Sequence, residues 1–178
     1  MLILGIDPGT AITGYGLLEI NPVRYERAPN RIKKFPQAIK YGCIRTSAHS
    51  EMPDRLKVIY EGIIDIIKRY HPQEVAVEEI FFNKNSKTAL SVGQARGVII
   101  LAAFCEGAKI FNYTPLEIKQ AITNNGRAEK SQVQFMIKKL LCLPRIPYPD
   151  DAADALAVAL CHCYSRRIKK CEENFLPN

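Results

Sequence analysis

Two short apolar runs, far apart in the chain, each lead into an acidic residue. Residues 2–6 form the first run, which ends at Asp7 and a sharp Pro-Gly turn. Residues 75–77 form the second run, which ends at Glu78. Runs of this length and composition predict buried strands, and an acid at the end of a buried element is costly unless a cation compensates its charge. The pattern therefore predicts two strands that each deliver one carboxylate to a charged site.

A second pair of acids lies near the C-terminus, in the motif DDAADALA. Asp151 and Asp154 are three residues apart where a helical pattern begins, so both side chains leave one face of the first turn. Two acids at strand ends and one helical pair form the oxygen donor set that Mg²⁺ requires. We therefore expect a magnesium site built by Asp7, Glu78, Asp151 and Asp154.

Two further acids lie next to the expected ligands in the sequence and could bind the metal in their place. Glu79 follows Glu78 directly, but successive strand residues point to opposite faces, so only one of the two can join Asp7. Asp150 is better placed as the N-cap of the helix, where its side chain would accept backbone N–H groups. The sequence leaves open that Asp150 replaces or assists Asp151 as a ligand.

The order of the predicted elements indicates an α/β fold. Three strands come first, and the later strands alternate with helices, which favours a five-stranded mixed sheet with its first three strands antiparallel, flanked by helices. At 178 residues we expect one domain, residues 1–178, with a frayed tail over about 171–178. Strands are predicted over 2–6, 15–20, 38–46, 74–80 and 108–113, and helices from 53 to a His-Pro stop at 71–72 and over 85–106, 115–123, 129–141 and 150–170.

The chain is strongly basic although the expected site gathers four acids. Its 25 Lys and Arg residues outnumber 18 Asp and Glu residues, which gives a net charge of +7. A basic remaining surface favours a polyanionic partner, although a merely soluble basic protein would show the same balance. Residues 21–40, which are basic and contain three prolines, are predicted as a solvated loop between the second and third strands rather than a dedicated contact.

The six cysteines do not indicate a zinc or disulfide framework. No CxxC pair occurs, and Cys161-His162-Cys163 is spaced too tightly for the usual zinc ligands, so helix packing is the preferred interpretation. The chain opens directly into a strand without a signal-peptide pattern, so we expect a reducing, cytoplasmic location. The longest apolar stretch, residues 98–105, is too short to cross a bilayer, and no membrane partner is expected.

Five motifs in order along the chain resemble those of the RuvC Holliday junction resolvases. GIDPGT alone would be weak evidence, because phosphotransferases of the actin and sugar-kinase kind open with a similar turn, but those folds need two such domains. The full series covers almost the whole chain and is specific. The motifs are GIDPGTAITGYG at 5–16, VAVEEIFFNKN at 75–85, SVGQARG at 91–97, AEKSQVQ at 128–134 and DDAADALAVA at 150–159.

This resemblance implies an RNase H-like fold and a magnesium-dependent endonuclease that cuts four-way DNA junctions in recombination and repair. It implies four metal ligands: Asp7, Glu78, Asp151 and Asp154. Of the adjacent pair Glu78 and Glu79, the family register selects Glu78. Two Mg²⁺ ions per active site, about 4 Å apart, would activate the attacking water and stabilise the departing 3′ oxygen. Cleavage would leave 5′-phosphate and 3′-hydroxyl ends, and Mn²⁺ could replace Mg²⁺.

The resemblance also implies a set of DNA contacts. Two lysines would lie near the scissile phosphate, an aromatic residue would stack on an unpaired base near the junction centre, and three further residues would contact DNA. Ordinary surface lysines and a core phenylalanine are the alternatives, and Phe82 could fill the core role. The implied contacts are Lys119 and Lys130, Phe81, and Lys84, Asn85 and Arg96.

A homodimer is the expected assembly. Gly93 and Gly97 are four apart and permit close helix packing, either on the sheet or on a second subunit. The resemblance favours the second subunit, because a four-way junction has approximate two-fold symmetry and two related sites could make paired nicks. A branch-migration complex of the RuvA and RuvB type is a further implied partner. The segment 21–40 is longer and more basic than the corresponding family hairpin, which affects the surfaces available for docking.

Two other functions stay open at this point. One is a related RNase H-like nuclease that acts on another branched or RNA-containing substrate. The other is a non-catalytic junction-binding module with a vestigial metal site, and the presence of all four acids argues against it.

Overall fold

The fold is a five-stranded mixed sheet covered by helices on both faces. A computed structural model describes the backbone of residues 1–25, 28–80 and 86–175, and the side chains of 1–20, 36–80 and 89–166. The elements are β1 (Leu2–Asp7), β2 (Ile12–Tyr25), β3 (Ala28–Arg45), α1 (Met52–Tyr70), β4 (Glu74–Glu78), α2 (Ser86–Cys105), β5 (Lys109–Tyr113), α3 (Pro115–Thr123), α4 (Lys130–Leu140) and α5 (Asp150–Phe175).

The sheet order is β3-β2-β1-β4-β5, with antiparallel pairing from β1 to β3 and parallel pairing of β4 with β1 and β5. The predicted mixed sheet with three antiparallel strands is confirmed.

The prediction of a loop is wrong over residues 21–25 and 28–40, and residues 26 and 27 lie outside the described part of the chain. The backbone of β2 continues to Tyr25 and that of β3 begins at Ala28, so the two strands stay paired through Asn21↔Phe35 and Arg24↔Ile32. Pairing between the two strands satisfies their backbone N–H and C=O groups whatever their side chains are. The polar composition of this segment therefore does not argue against strands. Because β3 is an edge strand, its prolines are also tolerated.

Helix ends follow local signals. His71 ends α1 in the left-handed region, with φ 48° and ψ 53°, and its N–H donates to the Ile67 carbonyl at 2.8 Å. Thr114 and Glu117 form a reciprocal capping box that starts α3 immediately after β5. Within residues 1–25, 28–80 and 86–175, no helix is both long and apolar enough to cross a membrane.

Two cores lie on opposite faces of the sheet. Leu4 and Val75 pack with α1 and α2, whereas Ile3 and Ala76 pack with α3, α4 and α5. Strand residues an even number of positions apart point to the same face. Asp7 therefore shares the face of Ile3, and Glu78 shares the face of Ala76, which is the face that α5 covers. The alternation that builds the core thus brings both strand-end acids to the face covered by α5.

Glycines in β1 and β2 allow α5 to lie unusually close to this face. Gly5 pairs with Gly16 across the two strands, and Gly14 pairs with Asp7. A Cβ at Gly5 would collide with the Ala155 carbonyl, and one at Gly14 would collide with the carbonyl of Asp151. Because glycine has no side chain, these positions leave a groove in the sheet surface. The backbone of α5 lies in this groove, which brings its first turn to Asp7.

A buried polar network fixes the other half of α5. The His162 Nε2 atom lies 2.8 Å from Glu74 Oε2, and its Nδ1 atom lies 2.7 Å from the Tyr113 hydroxyl. Arg166 Nε donates to Glu74 Oε1 at 3.0 Å. Glu74 starts β4 on the same face as Glu78, so the network fastens α5 to the strand whose other end carries a candidate site residue. Cys161 and Cys163, on either side of His162, are buried in the helix packing.

Candidate active site

Three acids from three separate elements line one cleft. Asp7 ends β1 and Glu78 ends the adjacent parallel strand β4, where the preceding residues Ile6 and Val77 are direct partners. Asp154 projects from the first turns of α5. The cleft has a volume of about 310 Å³, and Lys119 from α3 and Lys130 from α4 also line it. The structure thus brings together three of the four acids named from the sequence, and Asp151 is not among the residues that line the cleft.

The acids strongly perturb one another. Burial raises the pKa of Asp7 well above its usual value, and the charges of Glu78, Asp154 and Asp151 raise it further. Burial and the charge of Asp154 raise the pKa of Glu78 to about 7, although a hydrogen bond with Asp7 and the charges of Lys119 and Lys130 oppose this shift. Clustered acids of this kind mark functional sites more often than structural ones.

Lys130 is the direct counter-ion of this cluster. Its Nζ lies 2.8 Å from Asp154 Oδ2 and 3.6 Å from Asp150 Oδ2. Burial alone would lower the pKa of Lys130, but the hydrogen bond to Asp154 and the charges of Asp154, Asp150 and Asp151 outweigh it, and the net shift is upward. Lys130 therefore stays cationic beside the cleft.

The two acids in question at the start of α5 occupy different places. Asp151 lies against Gly14, and its charge raises the pKa of both Asp7 and Asp154. Asp150 is the first residue of the helix rather than the residue before it, and the partner of its carboxylate is Lys130. The predicted N-cap position of Asp150 is therefore displaced by one residue, because α5 starts directly after Pro149.

A pH-dependent stability follows from the raised pKa of Glu78. The folded protein retains a proton on Glu78 between the usual value of 4.5 and about 7, whereas the unfolded chain releases it, so this group lowers the free energy of unfolding as the pH rises through that window. Without divalent cations, Glu78→Gln should therefore be more stable than the parent at pH 8 by about 2 kcal/mol, or about 5 °C in Tm. At pH 5 the two proteins should unfold at similar temperatures.

Thermal unfolding in EDTA at both pH values measures this difference. Glu79→Gln is the matched control, since Glu79 is the adjacent glutamate and is not among the residues that line the cleft. An equal increase in the Tm of the control, or an increase at pH 5 as large as at pH 8, would show that the difference in stability does not come from the raised pKa of Glu78.

The donor set suits a hard divalent cation. All four predicted ligands are carboxylates, which Mg²⁺ prefers. In the part of the chain that the structure describes, no three His, Cys, Asp or Glu side chains already enclose a metal position. The acids instead repel one another, and Asp154 is paired with Lys130. A cation would relieve this repulsion if the side chains turned inward, so the residues fit the ion chemically.

The predicted DNA-contact residues differ in where the structure places them. Lys119 and Lys130 reach the cleft. Arg96 does not line it, because its Nε donates to the backbone carbonyl of Glu78 at 3.2 Å and its Nη2 donates to Asn112 Oδ1 at 2.7 Å. Three further candidates, Phe81, Lys84 and Asn85, lie outside the described residues.

Sequence reasoning missed the glycines that shape the site. Gly5, Gly14 and Gly16 line the groove under α5, and a Cβ at Gly16 would lie 2.8 Å from the Leu156 side chain and 2.9 Å from its backbone nitrogen. The available signal was their spacing. Gly14 and Gly16 are two apart on one strand, so they share a face, and three small residues on one face leave room for a helix backbone.

Comparisons with known proteins agree with this geometry. The family described as Crossover junction endodeoxyribonuclease RuvC matches residues 3–162. Proteins of that name from Desulforamulus reducens and Moorella thermoacetica are 55% and 56% identical, over 91% of this chain and 93% and 90% of theirs. The corresponding protein from Clostridioides difficile is 47% identical over 98% of this chain and 96% of its own length.

Solved structures give the same result. The Thermus thermophilus RuvC structure matches with a TM-score of 0.83 and 31% identity, covering 95% of this chain and 97% of that one. The yeast mitochondrial Holliday junction resolvase Ydc2, at 11% identity and a TM-score of 0.63, covers 98% and 86% and supports the fold alone. The predicted RNase H-like fold is confirmed. A family match over nearly the whole sequence, together with relatives of more than 50% identity, shows that the chain belongs to the RuvC family of crossover junction endodeoxyribonucleases.

Proposed function

We propose that this endonuclease resolves four-way DNA junctions by paired symmetric nicks during recombination and repair in the cytoplasm, and that it depends on Mg²⁺. The substrate is supported by Thermus thermophilus RuvC in complex with Holliday junction substrate, whose structure matches with a TM-score of 0.80 and 30% identity over 94% of this chain and 96% of that one. The net charge of +7 in a chain with an acidic cleft supports a polyanionic substrate.

The single observation that carries the proposal is the convergence of the acids. Asp7, Glu78 and Asp154 come from two strands and a helix and meet in one cleft, with Asp151 close enough to raise the pKa of Asp7. A protein with no use for a cation would be more stable without this repulsion. We propose that these four carboxylates hold two Mg²⁺ ions, for which Mn²⁺ could substitute.

The residues of the cleft would divide the work of phosphodiester hydrolysis. Bound Mg²⁺ would supply an activated water and stabilise the departing 3′ oxygen, so that the ends are 5′-phosphate and 3′-hydroxyl. Lys119 lies within the cleft and would balance charge on the scissile phosphate. Lys130 also lines the cleft and would exchange its ion pair with Asp154 for a phosphate contact when a cation binds.

Further DNA contacts are proposed next to the cleft. Phe81 comes three residues after Glu78, so a base stacked on its ring would lie near the site of cleavage. Lys84 and Asn85 would hold the DNA backbone beside it. Phosphate contacts of this kind should make binding fall steeply with salt.

The homodimer is supported by an exposed apolar stripe on α2. Leu90, Leu101 and Phe104 are 67%, 55% and 72% exposed, and their spacing puts them on one side of the helix. Gly97 lies on the same side, and a Cβ there would meet nothing within 4 Å. The opposite side of α2, including Ile99, is buried on the sheet. A second copy pairing by the same stripe would cover it with two-fold symmetry.

Phe104→Glu should convert the protein to a monomer, because two like charges would face each other across a two-fold interface. Analytical ultracentrifugation measures the mass, and a cruciform plasmid distinguishes single nicks from the linear product of paired nicks. Phe135→Glu is the matched control, since Phe135 is 50% exposed on α4, on the other face of the sheet. A Phe104→Glu protein that keeps the mass of a dimer would refute this interface.

A branch-migration complex of the RuvA and RuvB type is the proposed protein partner. The ribbon formed by β2 and β3 beyond the body of the sheet offers a basic segment for docking on such a complex or on the junction arms. Deleting residues 21–35 and measuring junction binding with and without the partner would separate these two roles.

A substrate panel tests the proposed function. The protein is incubated with a synthetic four-way junction, a flap, a linear duplex and an RNA–DNA hybrid, each with Mg²⁺ and each with EDTA. We expect symmetric nicks in the junction, only with Mg²⁺. Cleavage of the hybrid or the flap in preference to the junction would instead favour a related nuclease with another substrate.

A further inference from the structure

Arg96 connects α2 to the strand ends behind the cleft. Its Nε donates to the main-chain carbonyl of Glu78 at 3.2 Å, and its Nη2 donates to the Asn112 side chain on β5 at 2.7 Å. Asn112 is the cross-strand partner of Val77, the residue before Glu78. One guanidinium therefore ties together the ends of two neighbouring strands.

This contact lies on the opposite face of the sheet from the cleft. Val77 packs with α1 and α2, whereas Glu78 points to α5 and lines the cleft. Arg96 bonds to the main chain of Glu78 through its Nε alone. The second bond, from Nη2 to Asn112, fixes the plane of the guanidinium and so the direction from which Nε meets the Glu78 carbonyl.

Glu78 needs such support because it is the last residue of β4. The peptide that follows Glu78 is bonded at both ends, because its N–H, from Glu79, donates to the Tyr113 carbonyl at 2.8 Å and its carbonyl accepts from Arg96. The side chain is also crowded by like charges, because Asp7 ends the adjacent strand and Asp154 lines the same cleft. A strand end under this repulsion would relax away from the cleft unless its backbone were held.

We propose that Arg96 is a positioning residue for Glu78 rather than a DNA contact. This inference rests on the proposed function, since it assigns Arg96 to the placement of a metal ligand. The resemblance implied a DNA contact, and the geometry points to a role behind the site. Outer groups that orient metal ligands typically contribute about tenfold to a hundredfold to metal affinity or activity.

The test compares Arg96→Met, which keeps the apolar stem but removes the donors, with Asn112→Ala, which removes one acceptor. Lys68→Met is the control, because Lys68, on α1, pairs with Glu106 at 3.7 Å just beyond the C-terminal end of α2, on the same face of the sheet and ten residues after Arg96. Four quantities are measured: the single-turnover rate of junction nicking at saturating protein, the junction Kd without divalent cations, its salt dependence, and the Mg²⁺ concentration that half-saturates the rise in Tm produced by Mg²⁺ alone.

For Arg96→Met we expect the nicking rate to fall about tenfold to a hundredfold and the half-saturating Mg²⁺ concentration to rise about tenfold. The junction Kd and its salt dependence should stay within twofold of the parent. Asn112→Ala should change the same two quantities in the same direction, by a smaller factor. Lys68→Met should change none of them.

Three outcomes would overturn the proposal. A weaker junction Kd with a salt slope reduced by about one would make Arg96 a phosphate contact. A lower Tm with unchanged rate and unchanged Mg²⁺ requirement would make it a structural residue only. Changes in Arg96→Met without any in Asn112→Ala would refute the two-pronged contact. If the parent protein cuts no junction, the proposed function fails, and the Mg²⁺ titration still decides the role of Arg96.

Discussion

Asp7→Asn should reduce junction nicking by about three orders of magnitude or more while junction binding is retained. Asp7 is the central acid of the cleft, since Glu78, Asp154 and Asp151 all raise its pKa. The amide keeps the shape of the side chain but removes the charge that would attract a divalent cation. Binding should persist because the exchange removes a negative charge that faces the phosphates.

Single-turnover nicking with Mg²⁺ and fluorescence anisotropy of a labelled junction measure the two quantities. Asp65→Asn is the matched control, since Asp65 is an exposed carboxylate on α1. Nicking by Asp7→Asn at more than about a tenth of the parent rate would remove Asp7 from the catalytic set. Loss of junction binding without loss of Tm would show that Asp7 serves substrate binding instead.

Gly14→Ala should be the most damaging single-methyl change near the site. A Cβ at this position would collide with the Asp151 carbonyl, and neither the strand nor the helix backbone can yield without moving the first turn of α5. Overpacking of this kind costs about 1–3 kcal/mol. A displacement of about 1 Å at a catalytic group can lower the rate about a hundredfold.

Asp151→Asn is the comparison for this variant, because it removes the carboxylate without adding volume. We expect both variants to nick slowly, but only Gly14→Ala to unfold at a lower temperature. Thermal unfolding and single-turnover nicking on the same preparations separate the two effects. Gly14→Ala with the Tm and rate of the parent would show that α5 need not lie against β2.

Much of the fold could be predicted because the signals are local. The apolar runs before Asp7 and Glu78 identify two strands, and alternation sends both acids to one face. The spacing of Asp151 and Asp154 identifies a helix that presents both from its first turn. Acids at these positions predicted a shared metal site, the family resemblance implied the same ligands, and the structure places Asp7, Glu78 and Asp154 in one cleft.

Other features could not be predicted because they depend on partners distant in sequence. The ribbon of β2 and β3 is stabilised by pairing between two polar segments, and neither segment indicates a strand by itself. Arg96 contacts the carbonyl of Glu78, which no side-chain pattern reveals. The network of Glu74 with His162 joins residues 88 apart. Lys130 matches a family lysine, but its ion pair with Asp154 follows only from how α4 packs beside α5.

The central claim is that carboxylates from separate elements bind divalent cations together. Anomalous diffraction from a crystal soaked in Mn²⁺ tests it most directly. We predict anomalous peaks within bonding distance of Asp7 and of at least two of Glu78, Asp151 and Asp154, and their loss in crystals of Asp7→Asn. Mn²⁺ bound elsewhere, with none at Asp7 in the parent protein, would contradict the claim.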